Sequence, residues 1–362
     1  MFVAPVFLAV DGGMTTMKRG WQLLLALSLA LVGLIWQMPM ALADSVGYTV
    51  RAELPSNQDD KQVNYFALRV KPDQTQELAI VINNTSDRQQ KYVVSINQAV
   101  TNDNGVIDYS QVKPKLDPSL KVGIQDIFTK GSDQKVTVAA NAQKKVTFTY
   151  TMPAKELPGI ILGGVYVEQV PAAAKHTTAK IMIQNAFAYA IGLRLRESTR
   201  TVLPDMRLHE VKATQINRRN YVTANLQNPQ PGIMQKLTVN ARVTKFDSVK
   251  TLIRQQQSGM GMAPNSNFNF GIPWGNQNLP AGQYTLYLTA KAGSQTWQFT
   301  RNFTIADQTV KRLNKTVLAP AKRPNYWLYA ALALLIAILL AIIGYLLYRS
   351  RHRDDDDDVD DE

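Results

Sequence analysis

"AIVINNTSDRQQKYVVSINQ", residues 79–98, decides how this chain folds. Apolar residues alternate at Leu78, Ile80 and Ile82, and again at Tyr92, Val94 and Ile96. Period two is the mark of a strand with one buried face. Between the runs lies "NNTSD", residues 83–87, a cluster of turn-forming polar residues. The stretch therefore reads as strand, Asn84, polar turn, Gln90-Lys91, strand.

The same layout returns in "VTANLQNPQPGIMQKLTVNA", residues 222–241. Asn84 precedes Gln90-Lys91 by six positions and Asn228 precedes Gln235-Lys236 by seven. One architecture is expected twice. Further alternation runs through Val146, Phe148, Tyr150 and Met152, through Tyr189, Ile191, Leu193 and Leu195, and through Leu237, Val239, Ala241 and Val243. It ends at Trp297, Phe299, Phe303 and Ile305, with Arg301 interrupting that face. Short strands separated by regular turn signals predict an all-β fold of two tandem immunoglobulin-like sandwiches. In "LPAGQYTLYL", residues 279–288, Tyr284 opens a strand where its hydroxyl can bond upstream backbone, a structural tyrosine corner. "RESTRTVLPDM", residues 196–206, is polar and carries Pro204, so the sandwiches are expected over 44–198 and 199–310. Residues 311–325 lack alternation and read as an extended stalk.

Both ends of the chain point to a membrane. Tyr326 to Tyr348 holds 23 residues without a charge. As a helix it would span about 34 Å, against a bilayer core of about 30 Å. Aromatic residues sit at each end of it, as at two membrane–water interfaces. At the other terminus, Lys18 and Arg19 precede "WQLLLALSLALVGLIW", and small residues Ala41 and Ala43 follow. That pattern predicts a signal peptide over 1–43, cut after Ala43. An uncleaved anchor is the alternative, and either one places residues 44–325 outside the cell. The flanking Arg349, Arg351 and Arg353 then lie in the cytoplasm, within a basic-acidic tail over 349–362. Its run "DDDDDVDDE" is expected to be solvated.

The net charge is +12. The first 43 residues contribute +1 and residues 326–362 contribute −5, so residues 44–325 carry +16. A field of that sign draws polyanions. Outside a cell these are anionic wall polymers or lipid headgroups rather than nucleic acid; plain solubility is the competing explanation. With no cysteine, the exported part holds together by core burial alone.

The residues offer no catalytic pattern and no cofactor. His176, His209 and His352 are the three histidines, too few and too scattered for an ordinary zinc site. His209-Glu210 is the one pairing fit for a serine triad. A glycan hydrolase needs two carboxylates facing a groove, and nothing marks such a pair. "TNDNGVIDY", residues 101–109, fails the calcium-loop pattern, because Val100 and Gln111 occupy carboxylate positions. It reads as a turn. Gly163 and Gly164 inside "LPGIILGGVYVEQ" mark a bulge or a close approach of backbone, that of a partner strand included. That keeps open an accessory, chaperone-like role through a strand edge. "MAPNSNFNFGIPWG", residues 262–275, is the most aromatic segment. Phe268, Phe270 and Trp274, with Met260 and Met262, are candidate ligand contacts or else core plugs.

Long phrases of the chain resemble the WxL-interacting proteins, membrane-anchored surface proteins of Gram-positive bacteria. "NQDDKQVNYFALRVKPDQTQELAIVINNTSDRQQ" (57–90) and "MPAKELPGIILGGVYV" (152–167) are similar to that family's first domain. "VKATQINRRNYVTANLQNPQPGIMQKLTVNARVTK" (211–245) and "LPAGQYTLYLTAKAGSQTWQFTRNFTI" (279–305) are similar to its second. The resemblance spans most of residues 46–348. It implies a non-enzymatic adhesion and scaffold protein. The expected partners are peptidoglycan, WxL-domain wall proteins and host matrix proteins, with the lipid bilayer as anchor. It transfers no contact residue.

Overall fold

The computed structural model describes residues 47–128, 133–171, 187–275, 278–317 and 326–351. The leader with its cleavage site after Ala43, the last eight residues of the expected stalk and the tail from residue 352 lie outside them.

The chain folds as two β-sandwiches followed by one apolar helix. In the first sandwich, β1 (Tyr48–Glu53), β3 (Thr75–Asn84) and β8 (Gln143–Thr151) form an antiparallel sheet. It faces a five-stranded sheet ordered β2 (Phe66–Arg69), β10 (Ala188–Arg196), β9 (Ile161–Gln169), β4 (Gln90–Gln98), β7 (Asp133–Val138). Strands β2 and β10 run parallel, and the other pairs of this sheet run antiparallel. Alternate residues of both sheets meet in one core, with Phe66, Ile80, Ile82, Val94, Val167 and Leu193 fully enclosed. At one edge of this core Asp59 accepts hydrogen bonds from Arg69 (2.8 Å) and Arg196 (2.6 Å), tying the loop before β2 to β10. Burial opposes ionisation of Asp59, and the two guanidinium groups outweigh it, holding its carboxyl below the usual range.

The second sandwich sets β11 (Arg207–Ile216), β12 (Arg219–Asn228) and β15 (Ser266–Gly275) against β14 (Thr251–Met262), β13 (Met234–Lys245), β16 (Gly282–Ala292) and β17 (Gln295–Ile305). Tyr284 donates to the carbonyl of Pro280 (2.9 Å) from within the core, with Phe303 stacked on its ring.

The chain after β17 departs from the extended stalk expected over 311–325. Asp307–Lys315 forms a helix, α2, the second after the one-turn helix α1 (Ile124–Ile127). Leu313 is buried in the second core, and Val310, one turn earlier, packs beside it. Two apolar side chains three residues apart, with hydrogen bonds that Leu313 and Asn314 accept from the sandwich, dock nine residues of helix, yet are too short a pattern to stand out in sequence. Helix α3 (Tyr326–Arg351) is long and apolar enough to cross a membrane, with mean hydropathy 2.6 over Tyr329–Leu346.

Candidate functional site

Residues 99–123 leave the C-terminal end of β4 and reach the second sandwich before α1 begins. A small hairpin, β5 (Val100–Thr101) with β6 (Ile107–Asp108), starts this excursion. Asn102 shapes its tip, its side-chain oxygen accepting from the N–H groups of Asn104 (3.0 Å) and Val106 (3.1 Å). Gly105 sits at φ +70°, where a Cβ would come within 2.5 Å of the Met260 sulfur. Only glycine fits both demands. The Gly105 carbonyl then accepts from the N–H of Gly261 (2.8 Å), pinning the tip to β14.

At the base of the hairpin the two sandwiches share buried polar groups. The hydroxyls of Thr101 and Ser266 are 2.6 Å apart, and the N–H of Ala263 donates to Thr101 (3.0 Å). Ala99, Leu162 and Ala263 form a small apolar seam beside them. Buried and fully paired, these groups fix one orientation of the sandwiches.

Next to the seam lies a cleft of about 880 Å³. Its wall is the outer face of β12 and β15, carrying Asn225, Gln227, Asn267 and Asn269. Asp117 enters from the excursion and is only 6% exposed. Its carboxylate accepts from the Ser119 N–H (2.9 Å), Gln227 Nε2 (2.8 Å) and Asn267 Nδ2 (2.5 Å). Burial disfavours the charge, and these donors outweigh it, so Asp117 stays ionised below the ordinary carboxylate range. His209 Nε2 lies 2.7 Å from Gln227 Oε1. Since Gln227 donates to Asp117 through its nitrogen, its oxygen accepts from His209. Glu210 is paired with Lys212. His209 thus meets an amide rather than a serine, and the wall is a surface of planar hydrogen-bonding groups.

The aromatic candidates lie elsewhere. Phe268, Phe270 and Trp274 are 2%, 1% and 8% exposed, and Met260 and Met262 are equally enclosed. All five belong to the second core, which corrects their reading as ligand contacts. The physical reason is alternation. β15 turns Phe268, Phe270, Ile272 and Trp274 inward, so Asn267 and Asn269 face the cleft. Period two in "SNFNFGIPWG" carries that signal, and attention to the aromatic half of the pattern misses it.

The glycine-bearing strand is corrected too. β9 lies inside its sheet between β10 and β4, with unbroken register on both sides. It has neither a bulge nor a free edge. A Cβ on Gly163 would meet Ile124 at 2.4 Å, and one on Gly164 would meet the Tyr109 ring at 2.7 Å. The close approach that the sequence allowed is thus to the chain itself: Gly163 admits α1 and Gly164 the excursion, so they supply no basis for a partner strand.

Residues 48–169 match the family described as WxL Interacting Protein, peptidoglycan binding domain, and residues 178–315 match WxL Interacting Protein, host binding domain. No curated protein matches the chain. Among solved structures the chain is similar to the class 5 fimbriae chaperone CfaA, at 13% identity over 70% of this chain and 99% of that one, with a TM-score of 0.28. It is similar to the E. coli chaperone DraB, at 14% identity over 65% and 95%, with a TM-score of 0.25. It is also similar to the Pseudomonas aeruginosa CupB2 chaperone, at 14% identity over 66% and 97%, with a TM-score of 0.23.

Proposed function

The chain belongs to the WxL-interacting protein family, and we propose that it is a non-enzymatic cell-surface scaffold. In this reading the first sandwich associates with peptidoglycan and anionic wall polymers. The second faces host matrix proteins, and a WxL-domain wall protein joins the complex. Helix α3 holds the assembly in the lipid, with the sandwiches outside and the C-terminus in the cytoplasm.

The observation that carries the reading is the succession, along one chain, of a peptidoglycan-binding-type and a host-binding-type domain joined through buried hydrogen bonds. A seam of that kind makes two binding modules one rigid spacer rather than two beads on a string. The charge of +16 on residues 44–325 supports the wall assignment, because a basic body is drawn to anionic polymer. Crosslinking in intact cells, read by mass spectrometry, tests the partner. Recovery of a WxL-domain protein crosslinked to residues 47–317 is expected. Crosslinks confined to cytoplasmic proteins would contradict both the partner and the topology.

A further inference from the structure

One end of the second sandwich carries exposed apolar and basic side chains that the scaffold role does not use. The turn between β13 and β14 presents Phe246 at 50% exposure and Val249 at 94%, and Leu252 beside it, at the start of β14, is 39% exposed. Exposed Lys245 and Lys250 flank them. A bare valine and phenylalanine on one short turn do nothing for the core beneath, since that core closes without them.

This turn lies at the end of the molecule from which the chain leaves for α3. The N–H of Phe246 donates to Gln283 at the start of β16 (2.9 Å), and Gly282 there pairs with Ile305 at the end of β17. Helix α2 follows at once. Its far end meets the turn between β11 and β12, where Gln215 donates to the Leu313 carbonyl (2.9 Å) and Asn220 to Asn314 (2.9 Å). That second turn exposes Ile216, Arg218 and Arg219. Helix α2 adds exposed Lys311, Arg312 and Lys315. Across the two turns and α2, seven basic residues stand against two acids, Asp247 and Asp307.

Eight residues, 318–325, separate this end from Tyr326. A chain extends at most about 3.6 Å per residue, so Val317 lies within about 32 Å of the start of α3. The end that carries the exposed apolar and basic groups is therefore held close to the bilayer. Aliphatic and aromatic groups ringed by lysine and arginine are the composition that seats at an anionic lipid surface, the apolar tips entering the headgroup layer and the cations meeting phosphate.

We infer that the β13–β14 turn, with the β11–β12 turn and helix α2, forms a docking surface for the anionic headgroups of the membrane that anchors the chain. Phe246 and Val249 enter the interface, and the cations around them hold the second sandwich down on the bilayer. This inference rests on α3 being the anchor.

The chain has no cysteine, so single labels are unambiguous. Full-length Val249→Cys and, separately, Leu339→Cys would carry a polarity-sensitive fluorophore. Each protein would be placed in nanodiscs of zwitterionic lipid alone or with phosphatidylglycerol, and quenched by aqueous iodide. The label at 249 should shift to the blue and lose quenching in the anionic discs. Both changes should reverse in high salt and in the Lys250→Glu, Lys311→Glu background. Leu339→Cys should report lipid in every disc. Full quenching at 249 in anionic discs, with 339 still in lipid, overturns the docking surface and leaves the anchor intact. Water at 339 overturns the anchor and the docking together. Shielding at 249 that follows the number of protein copies per disc, rather than lipid charge, assigns the surface to a second copy of the chain and overturns the lipid assignment.

Discussion

Asn84 and Asn228 close equivalent turns with equivalent bonds. Each is fully buried at the end of a strand. Asn84 donates to the carbonyl four residues on, at Arg88 (2.8 Å), and accepts from the N–H two residues on, at Ser86 (3.1 Å). Asn228 does the same with Gly232 (2.8 Å) and Gln230 (3.3 Å). Side-chain amides of this kind satisfy backbone that a wide turn leaves unpaired. Replacing Asn228 by Ala strands buried carbonyls and should cost about 1–3 kcal/mol. A lower thermal midpoint for the full chain, matched by Asn84→Ala, would show it; an unchanged midpoint in both would not fit. Asp59 and Asp117 contribute to the acid limit. Both carboxyls are held below their unfolded value, so each contributes stability above about pH 4 that is lost as pH falls through the folded pKa. Protection against hydrogen exchange at residues 99–123, taken relative to the intrinsic rate at each pH, should therefore fall as pH drops below about 4, and Asp117→Asn should remove that dependence at the cleft.

At the scale of elements, Gly164 shows how a strand makes room for an excursion. Gly164→Ala drives a methyl into the Tyr109 ring and should cost about 1–3 kcal/mol through overpacking. Pairing it with Tyr109→Ala should recover part of the loss in the unfolding midpoint. No recovery would mean that the ring is not the obstacle. Leu313→Ala should cost about 2–4 kcal/mol and release α2, read as loss of exchange protection over 307–315. These two elements also mark the limits of what the sequence discloses. The long strands were legible because Ile80, Ile82, Tyr92, Val94, Phe148 and Tyr150 obey period two with one face inward. The repeated Asn-turn layout was legible in the same way, because two distant stretches solve one local problem. Helix α2 was not, since nine residues with two apolar contacts give no sustained 3.6 period. The parallel pairing of β2 with β10 was also hidden, because it joins residues more than 120 positions apart with no local signal. The cleft was half visible. Alternation in β15 faces Asn267 and Asn269 away from the core, but nothing in sequence says that Asp117, 150 residues earlier, comes to meet Asn267.

On the scale of the whole molecule, the sandwiches are joined by groups that cannot be separated without stranding buried polar atoms. Thr101, Ser266, Asp117 and Gln227 each lose a partner if the seam opens. The result is one basic body of two sandwiches, followed along the chain by the apolar helix α3. The grip on the wall proposed above is electrostatic in part, and exposed charges are screened beyond about 10 Å at 0.1 M salt. Co-sedimentation of the detergent-solubilised full chain with purified sacculi, across a salt series, tests that grip most directly. The chain should pellet with sacculi at low ionic strength and be progressively released as salt rises. A chain that stays in the supernatant at every ionic strength would contradict it.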